Sequence, residues 1–394
     1  MEEKDKVLNN TVVKLGLVSL FADISSEMLY PVTPIFLTTV LGASVSSVGI
    51  IEGFAEGLAS LLKTYSGVWS DRILRRTPFV AFGYFLSAIA KPFVGMSSSW
   101  GQVFSARALD RTGKGIRTAP RDALLADSVS VKLRGAAFGW HRAMDTIGAA
   151  IGPLFAAFYL SNPQQNLRSL YYWALVPGLI AVVICFLLKE KKIEIKNHKP
   201  LPRFFDFKNF SRSFKIYLSS WGIFSLANSS DVFLLLKAKA EGVGATEIIL
   251  LYCAYNFVYA ILSPYLGGLS DRIGRKKLLI FGLMVFACVY LGFSVATERW
   301  QFWLLFAFYG LYMAASDGVG KALAVDLIEP NFKASAIGAV GTVTGLAALV
   351  ASIAAGQIWE HIGPSYAFMY GAFGALAAAV LLLRVSEKEN IAMR

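Results

Sequence analysis

The chain has 394 residues, of which 56% are hydrophobic and 16% charged, and its mean hydropathy is +0.55. Soluble domains carry about a quarter of charged residues, so this composition excludes an ordinary soluble protein and predicts an integral membrane protein. The net charge of +12 does not indicate a nucleic-acid partner, because most basic residues outside the apolar segments lie in the short loops between them and orient the protein in the lipid bilayer.

Twelve apolar segments follow one another along the chain, each with the roughly 20 residues that cross a bilayer at about 1.5 Å per residue. The predicted spans are 12–40, 45–70, 77–97, 100–127, 134–160, 169–188, 214–236, 246–270, 277–297, 300–327, 334–358 and 364–385. The fourth contains a charged run, residues 107–117, which a hydropathy window alone can miss. The predicted fold class is therefore all-α integral membrane, with 12 transmembrane helices.

The loops predict the orientation and the division of the chain. Loops on one side of the predicted spans hold 18 Lys and Arg residues, and those on the other side hold four. The basic side is predicted to be cytoplasmic, together with both termini, in a multi-pass protein of the cell (inner) membrane. Residues 189–212 form the longest loop, which is basic, so we predict a six-helix bundle at 1–188, a cytoplasmic linker at 189–212 and a second six-helix bundle at 213–394.

Two sequence blocks repeat. GVWSDRILRR at 67–76 matches GGLSDRIGRK at 267–276 with an offset of 200, and the block 122–127 aligns with 321–326 with an offset of 199. Two blocks with almost the same offset predict that the bundles arose by duplication and are related by pseudo-symmetry. Such repeats are typical of transporters that bind their substrate between the two halves.

The repeated loop resembles motif A of the major facilitator superfamily. Two further positions resemble that family's acid-x6-Arg signature, since Asp127 precedes Arg134 by seven residues and Asp326 precedes Lys333 by seven. The amino-terminal copy of motif A departs from the pattern at Leu74, where a second glycine is expected. The resemblance implies a gating role for Gly67, Asp71, Arg72, Asp127, Arg134, Gly267, Asp271, Arg272, Arg275, Asp326 and Lys333, whereas a plain topology signal is the alternative.

Two other segments carry the same resemblance. Residues 111–115 in the fourth span resemble motif B, whose buried arginine, here Arg111, is linked in the family to proton coupling. Residues 148–157 in the fifth span resemble the antiporter motif C, with alanines in place of its last two glycines. Together they imply alternating access with proton-coupled antiport, and they favour export.

Ionisable residues inside the spans are costly and often mark a transport path or a proton relay. Asp23 and Glu27 are four residues apart and share a helix face, and a carboxylate near another in a low dielectric accepts a proton more readily. We expect one of the two to be a protonation site with Arg111 as its partner, although static acid–base pairs are the alternative. The predicted proton-coupling residues are Asp23, Glu27, Glu56, Arg111 and Asp145.

A second group of residues suits a substrate site. His141 is either a proton relay or a hydrogen-bonded core histidine, and the tyrosines of the eighth span form either a cavity wall or a packing surface. The predicted substrate-binding residues are Arg107, Arg142, His141, Asn228, Asp231, Tyr252, Tyr255 and Asn256.

The leading interpretation is a secondary active transporter, working as a proton-coupled antiporter that exports a drug-like compound or metabolite. The alternative is a proton-coupled importer or exporter of an anionic solute, such as a carboxylate metabolite or siderophore. An ATP-driven pump is disfavoured because no Gly-x4-Gly-Lys-Ser/Thr sequence occurs, and an enzyme because the three histidines lie far apart. We expect a monomer with a small-molecule substrate, no metal, and no cofactor other than a proton gradient.

Overall fold

The computed structural model describes residues 6, 8–73, 75–130, 133–162, 164–188, 210–327 and 333–386. Within these ranges every regular element is an α-helix, as the sequence predicts. The predicted linker lies outside the described residues, apart from its last three positions, 210–212.

The described residues form fifteen helices that make up twelve membrane spans, because the first, sixth and seventh spans each consist of two helices. The prediction of twelve spans is confirmed. The helices are α1 Asn10–Glu27, α2 Val32–Thr39, α3 Val45–Ile73, α4 Thr77–Met96, α5 Trp100–Asp127, α6 Arg134–Leu160, α7 Leu167–Trp173, α8 Leu175–Phe186, α9 Arg212–Ala227, α10 Val232–Ala240, α11 Ala245–Ile273, α12 Arg275–Val295, α13 Arg299–Asp326, α14 Lys333–His361 and α15 Pro364–Leu382.

Judged by length and apolar composition alone, nine of these spans within the described residues qualify as membrane-crossing helices. The first, fourth and seventh spans do not meet both conditions, and each has a physical reason. The first span is interrupted after Glu27 and resumes at Val32, because Pro31 has no backbone N–H and disfavours helical conformation in the residue before it. The seventh is interrupted at 228–231, a run of Asn, Ser and Asp whose side chains compete for backbone hydrogen bonds. The fourth span, α5, contains the charged run at residues 107–117, which lowers its mean hydropathy.

The repeat is visible in the helix bounds. Helices α3 and α11 are both 29 residues long at an offset of 200, and α5 and α13 are both 28 residues long at an offset of 199. The offset changes in the turn that precedes α4 and α12, where Gly274 adopts a positive φ of 99°. The slip of one residue between the two repeated sequence blocks is therefore located in this turn.

The chain divides into two compact units: unit 1 comprises 1–43, 54–198 and 244–250, and unit 2 comprises 44–53, 199–243 and 251–394. In unit 1, α4 packs against α5, and α1 packs against α6 and α8. In unit 2, α12 packs against α13 and α15, and α9 packs against α14 and α15.

Large apolar side chains cover much of the outer surface. Phe158 and Phe186 in unit 1 are 78% and 75% exposed, and Phe257 in unit 2 is 67% exposed. A soluble monomer rarely exposes contiguous apolar surface on this scale, whereas lipid tails solvate it. The outer surface therefore suits a bilayer.

Candidate functional site

Unit 1 contains a polar cavity of about 70 Å³. Its walls come from α1, the break that follows α1, and the helices α2, α4, α5 and α7. The lining residues are Asp23, Ser26, Glu27, Leu29, Tyr30, Thr33, Ala90, Lys91, Val94, Arg107, Asp110, Arg111, Lys114, Arg117 and Tyr171.

The spacing of charges along α5 explains why one helix supplies so much of the lining. Arg107, Arg111 and Lys114 follow one another at intervals of four and three residues, which places them on one helix face. The helix is poor in apolar residues along this run, so it is stable in a membrane only with that face turned toward polar partners.

Arg111 is the most connected of these charges. Its side chain is 9% exposed and lies 3.4 Å from Glu56 and 3.8 Å from Asp110. Asp110 also lies 3.6 Å from Arg107. The sequence predicts Asp23 or Glu27 as the partner of Arg111, and the structure adds Glu56 and Asp110 as its ion-pair partners. Asp23 and Glu27 lie with Arg111 on the cavity wall.

A buried lysine supplies another positive charge. Lys91, which is 6% exposed, donates a hydrogen bond to the hydroxyl of Ser25, and Ser25 donates to the carbonyl of Ala174. Neither Lys91 nor Asp110, which also lines the cavity, was among the site residues predicted from the sequence. A single lysine in the otherwise uncharged helix α4 is the signal that could have identified it.

Arg117 completes the positive charges of the cavity. It donates to the hydroxyl of Ser87 at 2.6 Å, and its guanidinium carbon lies 4.2 Å from the centre of the Tyr84 ring. Ser87 in turn donates to the backbone carbonyl of Asp110 at 3.0 Å. These contacts fix Arg117 between α4 and α5.

Three predicted site residues on α6 are not among those that line the cavity. Asp145 accepts a hydrogen bond from Ser19 and lies 3.5 Å from the Nδ1 atom of His141, which is buried. Arg142 is exposed. The position of a residue along a helix can be read from the sequence, but the direction in which its side chain points around the helix axis cannot.

The remaining predicted substrate residues form an aromatic cluster in unit 2. Asp231, at the break between α9 and α10, accepts hydrogen bonds from the hydroxyls of Tyr255 at 3.1 Å and Tyr309 at 2.6 Å. The ring centres of Tyr252 and Tyr255 are 5.1 Å apart, and both residues are 4% exposed. These two tyrosines are therefore packed inside unit 2, as the packing-surface alternative describes.

Two polar partners complete this cluster. Asn256 donates to the backbone carbonyl of Tyr252 at 2.9 Å, and Asn228 lies 3.5 Å from the Tyr312 hydroxyl. Arg107, by contrast, lies in unit 1. The predicted substrate residues are thus divided between two separately described groups.

The loop motif contributes one ion pair to each unit. Arg76 pairs with Asp127 in unit 1, and Arg275 pairs with Asp326 at 2.5 Å in unit 2. Arg76 was not among the predicted gating residues. The ungapped offset of 200 pairs it with Lys276, whereas the ion pairs make it the counterpart of Arg275. Arg272, another predicted gating residue, is exposed. The side chains of five more, Asp71, Arg72, Arg134, Asp271 and Lys333, are outside what the structure describes, although their backbones belong to described helices.

The two motif glycines differ in their surroundings. A Cβ atom added to Gly67 would lie 3.2 Å from the Cβ of Ala119, whereas one added to Gly267 would meet no described atom within 4 Å. Close helix approach therefore explains the first glycine and not the second. Over the described part of the chain, no cluster of three or more His, Cys, Asp or Glu side chains could hold a metal ion.

Comparisons with known proteins extend these observations. The model of the Major Facilitator Superfamily matches residues 15–237 and 216–392. The MFS-type transporter MJ1317 of Methanocaldococcus jannaschii is 36% identical over 387 residues, covering 97% of this chain and 96% of the relative. The multidrug resistance protein MdtG of Salmonella arizonae is 35% identical over 104 residues, which is 26% of each chain. The crystal structure of the nucleoside transporter NupG superposes with a TM-score of 0.78 at 13% identity, covering 95% of this chain and 99% of that one.

Proposed function

This chain belongs to the Major Facilitator Superfamily, and from that premise we propose that it is a proton-coupled secondary transporter of a small anionic solute. Membership itself makes the chain a multi-pass membrane transporter of a solute and not an enzyme, and it confirms the predicted fold. The coupling ion, the charge of the solute and the direction of transport are the proposed part.

The charge of the unit 1 cavity carries the proposal. Its lining includes five basic side chains, those of Lys91, Arg107, Arg111, Lys114 and Arg117, but only three acidic ones, those of Asp23, Glu27 and Asp110. Removing charges from water costs several kcal/mol for each ion, so an excess of one sign favours a bound ion of the other sign. The cavity therefore suits an anion better than a cation.

The volume of the cavity limits what it accepts. Pockets for drug-sized ligands measure about 300–1,000 Å³, several times the volume of this cavity. A cavity of about 70 Å³ therefore accommodates one small charged group and not a whole drug-like molecule. A carboxylate at the end of a larger solute fits this size and charge.

Coupling follows from the acids in the same wall. Asp23 and Glu27 lie one helical turn apart on α1 and line the cavity together with the basic residues. A proton bound to either acid removes a negative charge next to the anion, so it raises the affinity for the anion. By linkage the anion raises the affinity for the proton by the same factor. Cooperative binding favours movement of proton and anion in the same direction.

Proton-coupled antiport that exports a cationic or lipophilic compound is the second candidate. It is favoured by the partial likeness to MdtG and by Gly148 and Gly152, which belong to the segment resembling motif C. We place it second because the likeness covers 26% of the chain and because the cavity carries more basic than acidic groups.

We also propose that the protein works as a monomer in the cell membrane, with both termini on the cytoplasmic side. The 18 Lys and Arg residues on that side, against four on the other, support the orientation.

Transport by the purified protein in liposomes tests the function. The probes are gluconate and succinate as anions, and tetraethylammonium and benzyltrimethylammonium as cations, with a pH-sensitive dye inside the vesicles. We expect an inward anion gradient to acidify the interior. Alkalinisation driven by an inward cation gradient supports the antiport candidate instead, and anion transport without a pH change contradicts proton coupling.

A further inference from the structure

Helices α1 and α6 of unit 1 run side by side in the same direction. Gly16 lies against Trp140, and Gly148 lies against Asp23, so residue numbers rise together along the contact. A Cβ added to Gly148 would lie 2.6 Å from the carbonyl oxygen of Leu20 and 2.9 Å from the Cβ of Asp23. The backbones therefore approach too closely for a side chain at this position, and Asp23 lies directly at the contact.

Polar side chains follow one another along this contact. The Nδ1 atom of His141 is 3.5 Å from a carboxylate oxygen of Asp145, and Ser19 donates a hydrogen bond to the other oxygen of the same carboxylate. Asp23 follows Ser19 by one turn on the same face of α1, and the charges of Asp23 and Asp145 interact. The series ends at Asp23, which lines the cavity.

The chemistry of His141 suits the first member of a relay. A neutral imidazole has one N–H donor and one nitrogen acceptor, and the Nδ1 side faces a carboxylate. The Nε2 atom is buried and has no hydrogen-bond partner among the described residues. With the hydrogen on Nδ1, the lone pair of Nε2 is available to accept a proton.

The depths of these groups increase in order. Counted from the starts of α1 and α6 at 1.5 Å per residue, His141 lies about 10 Å along its helix, Ser19 and Asp145 about 14–16 Å, and Asp23 about 20 Å. Both helix starts lie at the end that the basic loops predict to be cytoplasmic. The series thus leads from that end toward the cavity.

We infer that His141, Asp145 and Ser19 form the proton path between the cytoplasmic end of unit 1 and Asp23. The inference rests on the proposed proton coupling and assigns it to residues that do not line the cavity. A proton binds at Nε2 of His141 while the Nδ1 proton passes to Asp145. Asp145 then gives its proton to the Ser19 oxygen as the Ser19 hydroxyl proton moves to Asp23, which leaves Ser19 neutral and Asp145 ionised again.

The surroundings of the path contain charges of both signs. Facing His141 are Arg121 and Asp122 from α5, with Asp145 and Arg142 from its own helix. Arg121 and Asp122 are themselves paired at 2.8 Å, so α5 presents a nearly neutral pair to the imidazole. Facing Asp23 are Asp145 from α6, Glu27 from its own helix, Lys91 from α4, and Arg117 and Arg121 from α5.

Two transport readouts on the full chain in liposomes test the path. The first is acidification of the interior driven by an inward gradient of gluconate or succinate, which requires net proton movement. The second is counterflow, in which labelled probe exchanges for unlabelled probe at equal concentrations with no net proton movement. His141→Asn and Asp145→Asn should slow acidification about tenfold or more, since losing a proton-transfer group costs about that much or more, and leave counterflow within about twofold.

Matched variants keep the result interpretable. His361→Asn is the control, because that histidine is exposed and contacts Gln357 on its own helix, and it should change neither readout. Ser19→Ala removes the hydroxyl without removing a charge and should slow acidification only. His141→Gln serves if the asparagine variant folds poorly.

The possible failures are distinguishable. Wild-type acidification in His141→Asn and Asp145→Asn overturns the proton path, and so does an equal loss of acidification and counterflow, which would indicate a packing role. If the wild-type protein carries the anion without acidification, the proposed coupling itself fails.

Discussion

Helix pair α4–α5 in unit 1 and helix pair α12–α13 in unit 2 occupy corresponding places in the repeat, yet they carry opposite chemistry. At the offset of 199 that relates them, charged and hydroxyl residues in the first pair correspond to aromatic residues in the second. The matched positions are Ser87 and Phe286, Lys91 and Tyr290, Arg107 and Phe306, and Asp110 and Tyr309.

The two sets of side chains are also used differently. In α4–α5 they surround a cavity, whereas in α12–α13 they pack against one another, with the rings of Phe286 and Tyr290 only 3.9 Å apart. Aromatic contacts stabilise a fold, while buried charges cost free energy unless they are paired. The two units therefore share the arrangement of these helices, but the buried charges at the compared positions lie in unit 1.

The largest expected effect on stability comes from introducing a charge among the aromatic side chains of α12 and α13. Tyr290→Lys places an ammonium where the tyrosine is 1% exposed among aromatic rings, and should lower the free energy of unfolding by about 3–5 kcal/mol. Thermal unfolding in detergent measures the loss. Tyr290→Phe is the control, because it keeps the ring and should be nearly neutral.

Removing the charge at the corresponding position of unit 1, Lys91, should affect transport and not stability. Lys91→Met removes a buried charge from α4 with little change in volume, so unfolding should shift little while anion transport is lost. A strongly destabilised Lys91→Met protein would contradict the view that this lysine is kept for binding.

Arg111→Gln should produce the next largest effect. It removes the guanidinium that Glu56 and Asp110 share, which should lower the free energy of unfolding by about 2 kcal/mol and abolish transport. Arg299→Gln is the matched control, since Arg299 is exposed and lies outside the cavity lining. Equal loss of transport in both variants would contradict the location of the site.

Tyr309→Phe should affect stability but not coupling. It removes the 2.6 Å hydrogen bond from the Tyr309 hydroxyl to Asp231, worth about 1.5 kcal/mol for a charged acceptor. Thermal unfolding should register that loss while anion-driven acidification stays within about twofold. Loss of acidification without destabilisation would give unit 2 a part in coupling and weaken the comparison.

The smallest effect is expected where the two units keep the same chemistry. Arg76→Gln and Arg275→Gln each break an ion pair whose aspartate is about 40% or more exposed, and such pairs contribute about 0–1 kcal/mol. The two variants should therefore match each other closely in thermal unfolding. A large difference between them would show that the repeat is functionally unequal at this end as well.

Much of the fold could be predicted from the sequence because it depends on segment length and on repeated motifs. Pro31 could have signalled the break in the first span, whereas only polar residues mark the break at 228–231. The sequence showed that the offset between the repeated blocks changes from 200 to 199, but it did not show that the change occurs in the turn before α4. The correct partner of Asp127 therefore needed the structure.

The site was predictable only in part, because a sequence gives the depth of a charge but not its direction. Asp23, Glu27, Arg107 and Arg111 were identified and do line the cavity. Lys91 was missed as a site residue because its partner, Ser25, lies on another helix, 66 residues away in the chain.

The central claim is that unit 1 binds a proton and an anion together, and the internal pH of liposomes tests it most directly. With equal starting pH on both sides, an inward gradient of gluconate or succinate should acidify the interior, and Lys91→Met should abolish the signal while Tyr309→Phe preserves it. Anion entry with no change in internal pH, or an equal signal in the Lys91→Met protein, would contradict the account.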